Sequence, residues 1–310
     1  MWRTVRQTIL AYTFILPSLA ILVLMIVVPV FGALVSSART DDGTWSLIAY
    51  RQVFQTPGFG RDVGYTLVIT IISCCIVLVT SILLAVYLRL NPGWLSTFIQ
   101  RVYYLPIFIP GIIATYAIKT LYEQHGWVNT IGEHLGIHAY PKIVFTGASV
   151  ILAQIWFHVP FTTLLIGSAL QGVPDGMVES ARDVGARRLT IVWRILLPQV
   201  RNICLFAVTL VFLGCFGGYT VPYLLGPNNP QMLGVVVSAT MATYMEPHQA
   251  SAISVLMFAI CAIVAAFYVQ NMTKQKKSEF ASSSDEEVSR KRRRGRVDRG
   301  LYRAKETLQP

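Results

Sequence analysis

Long apolar intervals without charge alternate with short polar segments along most of this chain. A helix needs roughly 20 apolar residues to cross the hydrocarbon core of a bilayer, and charged side chains are costly there. The uncharged intervals predict six transmembrane helices, at about residues 11–36, 64–88, 101–121, 144–171, 201–222 and 248–270. Pro222 and the turn cluster from Gly226 to Pro230 are expected to end the fifth helix. The pattern therefore predicts an all-α membrane protein.

Composition supports a membrane protein with a polar tail. Of the 310 residues, 13% are charged and 54% hydrophobic, whereas soluble domains carry roughly 25% charged residues. Twelve of the 26 basic and six of the 15 acidic residues follow Asn271, so +6 of the net charge of +11 lies there. We expect a membrane domain over residues 1–270 and a disordered basic tail over residues 271–310 that meets lipid headgroups or solvent. The tail lacks interleaved aromatic residues, so nucleic acid is not an expected partner.

Basic residues in the connecting loops predict the orientation, because lysine and arginine concentrate on the cytoplasmic side. One side carries nine arginines before the tail: Arg3, Arg6, Arg89, Arg101, Arg182, Arg187, Arg188, Arg194 and Arg201. The opposite side carries five basic residues: Arg39, Arg51, Arg61, Lys119 and Lys142. Both termini are therefore expected to be cytoplasmic, as an even number of spans requires.

Enzymatic chemistry has no support in the sequence. All five cysteines fall within apolar spans and are expected to be small buried hydrophobes, so no metal site and no catalytic residue is predicted. The chain has no P-loop of the form G-x-x-x-x-G-K-[ST] and should not bind ATP through one. No carboxylate lies within the six spans, which makes an ion-coupled secondary transporter the weaker alternative.

The polar segment from Val173 to Pro198 has the features of two short helices separated by a break. Asp175 is the predicted N-cap of the first helix, and Gly185 provides a place to turn. By composition alone, the segment is either an interfacial helix held by its arginines or a docking surface for a cytoplasmic partner.

This segment resembles the EAA loop of binding-protein-dependent ABC importer permeases, in which E-A-A, three residues, G, nine residues and I-x-L-P follow one another. The matching residues are Glu179, Ser180, Ala181, Gly185, Ala186, Ile195, Leu197 and Pro198, with Ser180 replacing an alanine. The resemblance extends over roughly residues 9–270, because six spans with a cytoplasmic coupling-helix loop between the fourth and fifth are the family's layout.

The resemblance implies a non-enzymatic permease subunit of the bacterial inner membrane. Two separate ABC ATPase subunits would bind ATP and Mg²⁺, while this chain would bind no cofactor. A homologous second permease, giving a heterodimer, and an extracytoplasmic solute-binding protein would complete the importer. Glu179 would make polar contact with the ATPase, Ala181 would allow close approach, and Gly185 would provide the bend. The expected coupling surface also includes Asp183.

The resemblance also bears on the solute. The D-V-G-A order from Asp183 to Ala186 is similar to that of the branch that carries polyamines, ferric iron and thiamine. The exit of the fifth span, from Gly218 to Gly226, is similar to that of spermidine/putrescine permeases. A polyamine-like solute is therefore favoured, with ferric iron, thiamine, phosphonate and sugar as alternatives. A membrane scaffold without transport activity is a third class of function.

The fifth span carries a G-x-x-x-G pattern, which lets helices approach closely. The residues concerned are Gly214, Phe216, Gly218 and Tyr219. They are candidates for the pathway wall or a subunit interface, and the alternative is ordinary packing within the chain.

Overall fold

The computed structural model describes residues 2–40, 42–136 and 143–273, with side chains from residue 12 onward except that of Phe14. The chain divides into two compact units, Met1–Ala262 and Ile263–Pro310. Residues 263–273 of the second unit are described, and they are helical. The predicted disordered tail therefore lies outside the described residues from residue 274 onward, whereas its first three residues, 271–273, belong to a helix.

The described ranges consist of helices and their connections, apart from one isolated antiparallel bridge between Arg39 and Trp45. The helices are α1 (Trp2–Ser37), α2 (Ile48–Gln55), α3 (Phe59–Leu90), α4 (Trp94–Tyr103), α5 (Gly111–Tyr122), α6 (Trp127–His134), α7 (Gly147–Gln171), α8 (Asp175–Asp183), α9 (Arg188–Ile191), α10 (Leu197–Phe216), α11 (Thr220–Leu225), α12 (Leu233–Ala242) and α13 (Pro247–Thr273). A 3-10 turn, Leu105–Phe108, precedes α5, and a π turn, Val192–Leu196, joins α9 to α10.

Five helical segments of the described chain are long and apolar enough to cross a membrane. They are Ile15–Ser37, Phe59–Leu90, Gly147–Gln171, Arg188–Phe216 and Pro247–Thr273. A sixth crossing results if Trp94–Phe108 and Gly111–His134, which meet at an angle of 105°, form one span. The all-α membrane class is thus confirmed, and the count of six spans remains a prediction.

Two helices differ from their predicted form. The third predicted span is broken, because Pro106 and Pro110 interrupt the helical hydrogen bonds and leave a sharp bend before α5. The prediction that the fifth span ends at Pro222 is wrong: α10 ends at Phe216, where Gly217 and Gly218 follow, and Pro222 lies within the short helix α11. A prolyl residue is tolerated near a helix start, so Pro222 does not prevent α11.

The three long helices α3, α7 and α10 pack against one another and carry the core. Small side chains at buried positions allow this close packing, among them Ala85 of α3, Ala153 of α7 and Ala207 of α10. By contrast, the described side chains of α1 are exposed along most of its length, and its buried residue is Ser37.

The segment after α10 is attached to the beginning of α3. The carboxylate of Asp62 accepts a hydrogen bond from the backbone N–H of Gln231 at 2.9 Å, and the Thr66 hydroxyl accepts one from Leu233 at 2.9 Å. These bonds hold the segment that connects α11 to α12 against α3.

Candidate functional site

Helix α8 is anchored on one side in a hydrophobic cluster that reaches into the core. Val178 is its buried residue and packs with Ala85 of α3, Leu170 of α7 and Val200 of α10. Ala181 and Ala186 are half-buried against the same cluster. Because α8 contacts three core helices through this cluster, it is positioned by their arrangement.

The end of α8 is fixed by a Schellman motif around Gly185. The N–H of Ala186 donates to the carbonyl of Ala181 at 2.9 Å, and the N–H of Gly185 donates to the carbonyl of Arg182 at 2.8 Å. Gly185 has φ +80°, a conformation that favours glycine. A Cβ at this position would meet nothing within 4 Å, so the backbone conformation requires glycine and the space around it stays open.

Arg89, the basic residue in the last turn of α3, joins three elements. Its Nε donates to the Leu170 carbonyl at 3.2 Å, and its Nη2 donates to the Val173 carbonyl at 3.0 Å. Nη2 also pairs with the carboxylate of Asp175 at the start of α8. The guanidinium thus satisfies carbonyls at the C-terminal end of α7 and fixes the entry into α8.

The predicted role of Asp175 as N-cap is wrong. Pro174 is the N-cap residue of α8, Asp175 is the first helical residue, and no side chain caps the helix by a hydrogen bond. Asp175 instead pairs with Arg89, and its negative charge in the first turn complements the helix dipole.

The segment from α8 to the π turn exposes both charged and apolar side chains. Glu179, Ser180 and Asp183 are exposed. Val184, Leu189 and Trp193 are 84%, 72% and 68% exposed, respectively. Large apolar side chains on a surface otherwise rich in charge are typical of a protein contact site. We call the six residues Glu179, Ser180, Asp183, Val184, Leu189 and Trp193 the outer α8 surface.

The I-x-L-P end of the motif lies at the start of α10. Ile195 and Leu197 are half-buried, and Pro198 is exposed. Pro198 has no N–H to donate to a carbonyl one turn earlier, and the turn immediately before it is π-helical, with the N–H of Leu197 donating to Val192. The proline thus accompanies a local widening of the helix where the loop joins the core.

A second site is a cavity of about 240 Å³ between α5, α7 and the end of α10. Three of the four residues singled out in the fifth span line it: Gly214, Gly218 and Tyr219. The fourth, Phe216, is fully buried in a different cluster and stacks on Phe212, with ring centroids 5.4 Å apart. The other lining residues are Gly111, Ile112, Thr115, Gln154, Phe157, His158, Thr220 and Val221.

The side chain of His158 occupies space left open by Gly214. Its Nδ1 lies 3.0 Å from the carbonyl oxygen of Gln154, and because a carbonyl only accepts, Nδ1 carries the proton. A Cβ on Gly214 would lie 2.7 Å from the other ring nitrogen, Nε2. Glycine at position 214 is therefore needed for the observed position of the imidazole.

Three residues that position or line these sites are not among the predicted site residues: Arg89, Gly111 and Gln154. The sequence pattern uses Arg89 only to orient the chain in the membrane, although a basic residue in the last turn of a helix can cap carbonyl groups. Gln154, a polar residue inside an apolar span, and Gly111, which follows Pro110, carry weaker signals. Among the described residues, no group of three or more His, Cys, Asp or Glu side chains is arranged to hold a metal.

The long apolar helices and the short helical loop between α7 and α10 are those of a multi-pass helical membrane protein. The chain belongs to the family of binding-protein-dependent transport system inner membrane components, whose family model matches residues 78–277. Members of this family are ABC transporter permease subunits and are not themselves enzymes.

Individual relatives differ in their solutes. The chain is 25% identical over 244 residues to a probable sulfate transport system permease protein, CysT, of Marchantia polymorpha, covering 77% of this chain and 82% of that protein. It is 26% identical over 178 residues to the spermidine/putrescine transport system permease protein PotB of Haemophilus influenzae, covering 57% and 62%.

The fold is similar to that of a bacterial alginate ABC transporter crystallised with an alginate-pentasaccharide-bound periplasmic protein. The TM-score is 0.77 at 18% identity, and the match covers 86% of this chain and 95% of the other. This similarity is one of fold.

Proposed function

We propose that this chain is the permease subunit of an ATP-driven importer and receives its driving force through the outer α8 surface. The observation that carries the proposal is the contrast between the two sides of α8. Its inner side packs in the core cluster of α3, α7 and α10, while Glu179, Ser180 and Asp183 on α8 are exposed and are followed by the exposed apolar side chains of Val184, Leu189 and Trp193. Force applied to that surface would therefore reach the helices that form the core.

The partner in this proposal is an ABC ATPase, and two copies bind ATP and Mg²⁺ outside this chain. Val184 and Trp193 supply apolar contact, and Glu179 supplies a charge at the edge of the contact. The open space beside Gly185 permits close approach of the partner's backbone. The Schellman motif and Arg89 hold this surface in one geometry, as rigid transmission requires.

The remaining assembly follows from the family. We propose a homologous second permease, giving a heterodimer, and an extracytoplasmic solute-binding protein. The periplasmic protein in the alginate transporter structure supports a partner of that kind. The distribution of basic residues supports a location in the bacterial inner membrane with both termini in the cytoplasm.

Two solute classes are supported by particular observations. The D-V-G-A order and the similarity to PotB support the polyamine-like solute predicted from the sequence. The similarity to CysT, over more of the chain, supports an inorganic oxyanion such as sulfate. No carboxylate lines the cavity beside α5, so a polycation would find no counter-charge there.

Val184→Asp tests the coupling role. Val184 is 84% exposed and makes no contribution to the core, so its replacement should leave folding unchanged. We expect co-purification of the ATPase subunit and ATP-driven uptake to fall by about tenfold, since burying a charge in an apolar contact is costly. Leu135→Asp is the matched control, because Leu135 is also exposed, at 72%, and follows α6 and not α8.

The outcomes separate three functions. Loss of ATPase association with Val184→Asp alone supports the coupling role, and equal behaviour of both variants contradicts it. Uptake that depends on an ion gradient without ATP would indicate a secondary transporter. A chain that neither stimulates the ATPase nor supports uptake would be a scaffold.

A further inference from the structure

The break before α5 places a helix N-terminus at the wall of the cavity. Pro110 is the N-cap residue, and its carbonyl accepts the N–H groups of Ile113 and Ala114 at 3.0 and 3.1 Å. The N–H groups of Gly111 and Ile112, which line the cavity, have no acceptor among the described residues. The partial positive charge of a helix N-terminus, together with unpaired N–H groups, favours an anion.

A second, independent observation comes from α7. Gln154 is 3% exposed and lines the same cavity, and the hydrogen bond found at this residue in the described part of the chain uses its backbone carbonyl and not its carboxamide. Side-chain amides that line a cavity bond either to protein groups or to what enters the cavity, because leaving them without a partner is costly. The carboxamide therefore has a donor available for a group that enters the cavity.

The rest of the lining carries no charged side chain. It contains no Asp, Glu, Lys or Arg, so neither a fixed counter-charge for an ammonium group nor a repelling carboxylate is present. Gly218 lies beside the carboxamide, because a Cβ on it would be 3.7 Å from Nε2 of Gln154. A volume of about 240 Å³ suits a group of a few heavy atoms.

We propose that the N–H groups of Gly111 and Ile112 and the carboxamide of Gln154 form a transient site for the anionic group of the imported solute, a sulfate, phosphonate or carboxylate. This inference rests on the proposed permease function and selects the oxyanion class over polyamines. Three neutral donors without a fixed cation hold such a group weakly. A weak site suits transport, which requires release as well as entry.

The first experiment measures ATP-driven uptake into proteoliposomes by the whole transporter with its binding protein. The labelled probes are sulfate, methylphosphonate, glucuronate, spermidine and maltose, which separate the three sources of an anionic group from a cation and a neutral solute. We expect uptake of one of the three anions. Uptake confined to spermidine or maltose, or ATP hydrolysis without uptake of any anion, overturns the proposal.

The second experiment changes the carboxamide. Gln154→Glu should reduce uptake of the anion by at least about tenfold, because a carboxylate repels it, and Gln154→Leu should reduce uptake less. Unchanged or increased uptake in Gln154→Glu overturns the site. Since both variants alter a buried position, assembly with the ATPase and binding-protein-stimulated ATP hydrolysis are measured beside uptake.

A backbone variant tests the site without changing α7. Gly111→Pro removes one N–H at the first helical position, where proline is tolerated, and Pro110 has ψ 134°, which suits a following proline. Gly111→Ala is the control, because it keeps the N–H and its Cβ would meet Phe157 at an ordinary 3.8 Å.

We expect anion uptake to fall severalfold with Gly111→Pro and to fall less with Gly111→Ala, which keeps the N–H group. Equal uptake by the two variants overturns the role of the N–H group. If the unmodified transporter shows neither ATP-driven uptake nor stimulated ATP hydrolysis, the permease function itself fails, and the anion site fails with it. If the substitutions at positions 111 and 154 leave uptake unchanged, only the proposed anion site is contradicted, and the permease function stands.

Discussion

The α8 loop and the cavity beside α5 differ in how their polar groups are satisfied. In the loop, Gly185 and Ala186 donate to the end of α8, and Arg89 pairs with carbonyls at the end of α7. In the cavity, the hydrogen bond found at Gln154 uses its backbone carbonyl and not its carboxamide, and the N–H of Gly111 has no acceptor among the described residues. The paired C-terminal ends of α7 and α8 hold the loop in one shape and suit it to transmitting force, whereas donors free to bond a ligand suit the cavity wall to a passing solute.

The comparison also separates two uses of glycine. Gly185 is required by its backbone conformation and has open space around it. Gly214 is required by space, because the imidazole of His158 lies where its Cβ would be. Substitutions at these positions should therefore fail for different reasons.

Removing Arg89 should have the largest effect. Arg89→Met leaves the carbonyls of Leu170 and Val173 without their donor, and we expect the free energy of unfolding to fall by about 3 kcal/mol. Asp175 is 73% exposed, so its pairing with Arg89 contributes little of this loss. The temperature of thermal unfolding in detergent and the rate of ATP-driven uptake should both fall.

Asp175→Asn is the control for Arg89→Met. It removes the charge pair and keeps an acceptor, so its cost should stay below about 1 kcal/mol. If Asp175→Asn destabilised the protein as much as Arg89→Met, the ion pair and not the carbonyl capping would hold α8 in place.

Gly185→Val should have the next largest effect. A β-branched residue at φ +80° costs about 1–2 kcal/mol, which the loop can avoid only by opening the Schellman motif. We expect the protein to assemble in the membrane while ATP-driven uptake falls, as measured in proteoliposomes. Gly185→Asn should retain most activity, because asparagine tolerates the left-handed conformation better. Equal loss in both variants would show that bulk against the partner, and not backbone conformation, decides the effect.

The loop that contains α8 is predictable from the sequence because the residues that shape it are close together in the chain. The turn at Gly185 and the position of Pro198 at the start of α10 depend on residues within a few positions, so spacing alone predicts them. The apolar intervals likewise predict the helices, because the cost of burying charge in lipid acts on each segment separately.

The cavity was not predictable in the same way. It depends on contacts across the fold: Gly214 of α10 faces His158 of α7, and the break at Pro110 brings α5 beside them. The predicted end of the fifth span at Pro222 is also wrong, since α10 ends at Phe216, directly before Gly217, and Pro222 falls within α11. A sequence pattern shows which residues disturb a helix, but the residue that ends it depends on packing.

Gly214→Ala should give the smallest of the three effects and tests the cavity directly. Alanine favours the helix over glycine, but its Cβ would lie 2.7 Å from Nε2 of His158 and must displace the ring. Displacement breaks the 3.0 Å hydrogen bond to Gln154, so we expect a net loss of about 1 kcal/mol in stability and a severalfold loss of uptake. Gly167→Ala in α7 is the matched control, because nothing lies within 4 Å of its Cβ, and it should leave uptake unchanged. Uptake that survives Gly214→Ala intact would mean that the solute does not pass His158.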